Sequence, residues 1–481
     1  MNHSIFKSPI RFFIVWTFVI HAGYAAFIYV PDSVPTIQEA IQQASEGDTI
    51  LVAPGRYEEN IHIQNKSIVL ASTYLIDHDP VHVLQTIIDG SSSSHPDSGS
   101  VVFIEGESST QVIGFTLTGG SGTVWQDREF GHSYREGGGV FVLDASPVIK
   151  QNYIVHNSAT DTVGMMSTGG GGVACEYADV QLANNVIKYN EGRFGAGVVL
   201  SFSSATVNNN IIAGNVGGQD FGGGGLWFYK TYDILVVNNT IVGNHVVDEG
   251  THYDLGAGAG GAYVLWVGNI AMVNNIIWDN TQSAGNTPVH FQVSTQIEYS
   301  HNNIQDHYAW DPKVNNISEP PLFQDSTFVL SDMSPCIDAG HVGKIYRDPE
   351  SSGEEAAFPA KGSITNDLGA YGGPESNDLL GVSVETLVRN PLELTEFGLY
   401  PNFPNPFNNS TQLMFSLPAK KYVRLTVYDV LGRKVTTLIN GPMSAGFHRA
   451  QFDGTNLATG HYIAKLEWDT HTVEQTLLLV K

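Results

Sequence analysis

GGGVFVLDASPVIKQNYIVHN, Gly137–Asn157, carries the pattern on which the chain is built. A glycine cluster opens it, an apolar run follows, and two asparagines five residues apart close it. The pattern returns as GGGVACEYADVQLANNVIKYN (Gly170–Asn190) and GAGVVLSFSSATVNNNIIAGN (Gly195–Asn215), and twice more before Asn280. The closing pairs are Asn152/Asn157, Asn185/Asn190, Asn210/Asn215, Asn239/Asn244 and Asn275/Asn280. From the last opening glycines (Gly139, Gly172, Gly197, Gly225, Gly261) to the first asparagines the count is 13, 13, 13, 14 and 14. A fixed count means fixed geometry there. The stretch from each pair to the next glycines varies freely, from Glu191–Phe194 to His245–Leu255.

A unit of this size cannot bury its own apolar face, so the repeat predicts a solenoid. Asn185 and Asn210 are 25 residues apart, room for three short strands and three turns but not for two helices. The runs VFVL, VVLSF, LWFY and AYVLW are β-branched and aromatic, as strands prefer. Stacked coils would set like residues on like at about 4.8 Å, and stacked asparagines can bond amide to amide. Asn152, Asn185, Asn210, Asn239 and Asn275 are therefore expected in one structural column. These features resemble the right-handed parallel β-helix of the pectate-lyase-like superfamily, with its asparagine ladder. The resemblance implies an all-β solenoid over residues 26–373 and says little about chemistry, because one fold hosts many functions.

The net charge of −25, from 23 Lys+Arg against 48 Asp+Glu, argues against nucleic acid or an anionic membrane as partner. Gly is 51 of 481 residues and only 15 % are charged, which suits a turn-rich β protein. Cys175 and Cys336 make neither a disulfide framework nor a metal motif. Cys175 falls on an inward strand position, as a small core residue.

Lys7 and Arg11 precede the apolar run Phe12–Ile20, and small residues follow to Ala26. This predicts a signal peptide, residues 1–25, cut after Ala25. The run is too short for a stable transmembrane helix and no later run is long enough, so no membrane span is expected in the mature chain. Residues 26–72 resemble the N-terminal cap of bacterial β-helix proteins, a short helix covering the open end of the core. Thr36-Ile37-Gln38-Glu39 reads as its capping box. Coils are expected over 99–306, with Gly114 where later coils carry the asparagine. Residues 307–373 hold SPCIDAG (Ser334–Gly340) and DLGAYGG (Asp367–Gly373), which resemble the closing coil of bacterial surface β-helix proteins. Asp338 and Asp367 there could bind calcium or could hydrogen-bond the cap; no cofactor is certain from the sequence.

Residues 374–397 read as a linker. Beyond it, NPFN, YDVLGR and LATGHY lie in a period-2 strand pattern over 398–481, a small β-sandwich of immunoglobulin type. These strings resemble the C-terminal sorting domain of the type IX secretion system. That resemblance implies a chain handled by the type IX machinery and then secreted or held at the outer cell surface.

Alternation of side chains gives candidate site residues. Two positions after the last glycine the outward column reads Phe141, Ala174, Val199, Trp227, Tyr263; four after, it reads Leu143, Glu176, Ser201, Tyr229, Leu265. Loops of unequal length return to this face, as binding loops do on solenoids. Outward Phe141, Trp227, Tyr229 and Tyr263 would form a stacking platform for sugar rings, with His132 and His252 from the loops as further contacts. Glu105 and Glu176 would lie two coils apart on one column, near the upper spacing of an inverting carboxylate pair. Arg193 and Lys230 are candidate lyase bases if desolvated. No pair has metal-ligand spacing. The NTD, DD, GHG and RIK strings of polygalacturonase-like enzymes and the arginine motif of classical pectate lyases are absent. The expectation is an exported protein that binds a polysaccharide or cell-surface glycan along its first-strand face, and could cleave it as a lyase or glycoside hydrolase. The alternative is a non-catalytic adhesin or scaffold, since the repeat is also similar to those of polymorphic outer-membrane adhesins.

Overall fold

The computed structural model describes residues 25–129, 131–160, 166–218, 222–247, 258–282, 289–306, 315–376, 398–399, 407–408, 410–417, 420–443 and 446–481. Residues 1–24, 377–397 and His252 lie outside them, and with them most of the expected signal peptide and linker.

The repeat folds as parallel coils. First-face strands Val140–Leu143, Val173–Glu176, Val198–Ser201 and Leu226–Tyr229 pair in register, Val140 with Val173, Val173 with Val198, Val198 with Leu226. A second face holds Val148–Lys150, Asp179–Ala183, Ser204–Asn208 and Asp233–Val237. A third runs as nine parallel strands from Gly55–Tyr57 to Asn303–Ile304. Short strands such as Glu191–Gly192 and Val216–Gly218 add a fourth segment where the variable loops begin. The alternation holds. Val140, Val142, Val173, Cys175, Val198, Leu200, Leu226 and Phe228 point into the main core, while Phe141, Ala174, Val199 and Trp227 point out of it.

The asparagine column is continuous. Asn152 Nδ2 donates to Asn185 Oδ1 at 3.1 Å, and Asn185 to Asn210, Asn210 to Asn239 and Asn239 to Asn275 each at 3.0 Å. Asn302 and Asn316 extend it. Every ladder residue from Asn152 to Asn275 also donates to backbone carbonyls and accepts a backbone N–H, so its buried amide is satisfied. The second asparagines form a parallel ladder, Asn157, Asn190, Asn215, Asn244 and Asn280. Below Asn152 the ladder position is taken by Phe115, whose N–H donates to Asn152 Oδ1 at 3.0 Å, and not by Gly114. Gly114 instead has φ +80 and aligns with the left-handed residues Gln151, Asn184 and Asn209, each one before its ladder asparagine. The glycine clusters are explained by close stacking. A Cβ at Gly172 would lie 2.5 Å from the carbonyl oxygen of Gly197, backbone that cannot yield.

At the N-terminal end the helix Ile37–Gln43 buries Ile37, Ala40 and Ile41. Thr36 caps it, accepting from Glu39 N–H at 3.2 Å. The other half of the expected capping box is supplied by a different carboxylate. Glu59 accepts the N–H groups of Ile37 and Gln38, both at 3.0 Å, because the turn between the strands Gly55–Tyr57 and Ile61–Gln64 lies beside the first turn of the helix. Lys66 Nζ donates to the carbonyls of Gln42 and Ala44 at the other end.

The closing segment 334–373 packs against the turns of the middle coils. Asn209 donates to the carbonyls of Ala370 and Gly372, and Asn238 to that of Asp367. Asp338 accepts from Ser363, and Asp367 from the backbone of Asp338 and Lys361, so these carboxylates serve as the hydrogen-bonded cap. Burial, together with the neighbouring Asp367, pushes the Asp348 carboxyl up to about 8.

The C-terminal region is a small β domain of two antiparallel sheets. One orders Gly398–Leu399, Ser410–Leu417 and Gly446–Asp453; the other orders Lys434–Met443, Lys421–Asp429, Gly460–Trp468 and His471–Leu479. Its three strings each close a local structure. Phe407 is buried and bonds by backbone to Leu478 and Val480. Asp429 accepts the N–H groups of Leu431 and Arg433 and the Arg433 side chain. Tyr462 donates to the carbonyl of Ala458 at 2.7 Å.

Candidate functional site

The longest described insertion is an antiparallel hairpin. Gly122–Gln126 pairs with Ser133–Glu136, and Tyr134 and Glu136 pair onward with Met166 and Gly169. The hairpin lies over the outward columns of the first face. Two ion pairs hold its tip: Arg128 to Asp144, with the guanidinium 4.8 Å from the Tyr177 ring centre, and Glu129 to Lys230.

Between hairpin and coils is a cavity of about 310 Å³. Trp125, Asp127, Tyr134 and Glu136 come from the hairpin, Arg193 and Phe194 from the shortest loop, and Glu176, Ser201, Trp227 and Tyr229 from the first-face strands. Phe202 and Trp266 lie at its outer edge, one residue past the strand registers.

Glu176 is at its base, 2 % exposed, and bonds to Ser201 and to Glu136, which is fully buried. Burial, then the adjacent Glu136 charge, raises the Glu176 carboxyl well above the usual range; Ser201 opposes this and Asp127 adds to it. The hydrogen bond between the two carboxyls favours the protonated form of Glu176. Arg193 sits 4.6 Å from the Phe194 ring centre, and Phe194 stacks on Trp227 at 5.6 Å. Trp227 stacks in turn on Tyr229 at 5.5 Å. The Trp125 indole N–H is buried on the cavity wall with no hydrogen-bond partner among the described residues.

The structure brings together only part of the predicted set. Glu176, Arg193, Trp227 and Tyr229 line the cavity. Glu105 does not: Leu143 lies between it and Glu176 in the register, and its carboxylate bonds His62 at 2.9 Å and Gln64 at 2.7 Å. The carboxyl partner of Glu176 is Glu136. Lys230 is not a desolvated base, because its hydrogen bond to Glu129 raises its pKa. The open aromatic platform is also corrected. Phe141 and Tyr263 are fully buried and Trp227 is 3 % exposed, since Trp125 packs over Phe141 and Phe194 over Trp227. Only Tyr229 keeps an exposed portion. His132 is outside the cavity lining, edge-on to Tyr134 at 6.3 Å.

A further column was missed. Five residues after the last glycine stand Asp144, Tyr177, Phe202, Lys230 and Trp266, all in the left-handed region. Tyr177 and Phe202 stack at 4.9 Å, and Lys230 lies 5.3 to 5.9 Å from the rings of Phe202, Tyr229 and Trp266. Counting one residue past the strand would have found it.

The right handed beta helix region model matches residues 59–241, and the secretion system C-terminal sorting domain model matches residues 402–480. The chain is a right-handed β-helix protein with a type IX sorting domain. No curated protein sequence matches it. A β-helix joined to a sorting domain makes this a secreted or cell-surface protein, and the sorting domain implies handling by the type IX machinery. Among the described residues no helix is long and apolar enough to cross a membrane.

Proposed function

We propose that this β-helix protein, exported through its signal peptide and delivered by type IX secretion, binds a surface glycan in the cleft beneath the hairpin Gly122–Glu136. The observation that supports this is the meeting, in one small cavity, of aromatic rings with hydrogen-bonding carboxyls. Rings suit the apolar face of a sugar and carboxyls suit its hydroxyls. The cavity is at the small end for a ligand site, so it takes one sugar unit rather than a length of chain. Hydrolysis by the Glu136/Glu176 pair is disfavoured. Glycosidases set their carboxyls about 5 to 9.5 Å apart, whereas these two touch.

The test is binding of the mature chain to a panel of neutral, amino and uronate glycans, alongside Tyr229→Ala. The reading expects one class to bind and the variant to lose about tenfold or more, as for a central aromatic contact. The second reading is a scaffold, favoured by the burial of Phe141, Trp227 and Tyr263 as a second apolar layer. Absence of binding to every glycan class would establish that reading instead.

A further inference from the structure

If the cleft is a glycan site, its polar groups specify more than a sugar. The Glu136/Glu176 pair is buried at the base, with Asp127, 4 % exposed, on the same wall. The lining sets three carboxyls, Asp127, Glu136 and Glu176, against the single guanidinium of Arg193, so the balance disfavours the carboxylate of a uronate and the sulfate of a sulfated sugar. It attracts a cation, and the walls are aromatic rings, which also favour cations. Independently, the Trp125 N–H is held in the wall, more than nine-tenths buried, without an acceptor among the described residues. A buried donor left in that state costs free energy that a ligand oxygen would recover. One ligand class answers both demands. No three His, Cys, Asp or Glu side chains among the described residues are grouped to hold a metal ion, so the cation is better supplied by the ligand itself.

We propose that the cleft takes an amino sugar with a free amine, its ammonium between the Glu136 and Glu176 carboxylates, an oxygen accepting from Trp125 Nε1 and its apolar face against Tyr229. The shared proton makes the exchange explicit. In the empty cleft burial and the hydrogen bond to Glu136 favour the protonated form of Glu176. When the ammonium arrives, it donates to both carboxylates, and the proton of Glu176 leaves to solvent. No covalent bond changes. Affinity therefore rises with pH while the amine stays protonated, and falls once the amine itself loses its proton.

The test is calorimetric titration of the full mature chain with glucosamine oligosaccharides, their N-acetylated forms, and neutral and uronate oligosaccharides. Each is run in two buffers of different ionisation enthalpy. The expected result is binding of the free-amine form with net proton release, and loss of about tenfold or more on N-acetylation, the scale of a charged hydrogen bond. Glu176→Gln should lose the proton release and a similar factor. Trp125→Phe, which keeps the ring and drops the donor, should weaken binding by a smaller factor with proton release intact. Equal binding of the N-acetylated form, or binding with no proton release, overturns the inference. Tight binding of a neutral oligosaccharide alone overturns it while leaving the glycan-binding reading in place. Binding of none of the four classes overturns both.

Discussion

The inward turn column and the outward columns of the same coils obey opposite rules. Inside, one residue type recurs: Asn152, Asn185, Asn210, Asn239, Asn275, each bonded to the next at 3.0 to 3.1 Å. Outside, no one type runs through a column: Leu143, Glu176, Ser201, Tyr229, Leu265 on one, Asp144, Tyr177, Phe202, Lys230, Trp266 on the next. A column that repeats is solving a problem every coil shares, the satisfaction of its buried backbone. A column that departs from the repeat is answering something local, here the hairpin and the cavity under it.

The contrast can be broken most strongly at the ladder. Asn210 accepts from the backbone and side chain of Asn185 and donates to Leu182, Asn208 and Asn239. Asn210→Ala leaves these groups buried without partners. A loss of about 3 kcal/mol is expected in urea unfolding, the upper range for orphaned buried groups. A loss near zero would mean that the ladder is decoration.

The opposite sign is expected at Glu176. Its folded pKa lies above the unfolded value, so between the two the folded chain holds more protons. Stability is therefore highest below the usual glutamate pKa and falls as pH rises through the raised one. Glu176→Gln removes that slope and should be at least as stable as the wild type above neutral pH, by thermal melts across pH. Asp348, pushed up to about 8, and Asp367, up to about 7, give slopes of the same sign, which the variant retains. A variant less stable than wild type at alkaline pH would show that the acid is structural, not a site group.

These two residues also mark how far the sequence could be read. The ladder was legible because its period is local: a count from Gly197 to Asn210 fixes a turn without knowledge of any other segment. Strand register and inward or outward sense followed from the same count. What covers an outward residue does not. Trp227 was correctly set outside the coil, but Phe194, from a loop with no period, closes over it. The partner of Glu176 comes from a hairpin ending 40 residues earlier, and that of Lys230 from Glu129, 101 residues away. Such partners are chosen by the path of an insertion, on which periodicity is silent. The sorting domain was legible for a different reason. Its strings NPFN, YDVLGR and LATGHY are each a local turn or lock, complete within a few residues or one strand pairing.

The smallest expected effect is at the hairpin tip. Lys230 and Glu129 are each about one-third exposed, and such pairs contribute about 1 kcal/mol or less. Lys230→Ala should barely shift global unfolding, while hydrogen exchange quickens across 122–136. Unchanged exchange there would mean that Arg128 and the strand pairing hold the hairpin alone.

The central claim is that the departure from the repeat is a binding site. A crystal structure of the mature chain soaked with a glucosamine oligosaccharide tests it most directly. The account predicts one sugar ring between Tyr229 and Trp125, its nitrogen within hydrogen-bond distance of both Glu136 and Glu176. Sugar density on another face of the coils, with the cleft beneath the hairpin empty, would contradict it.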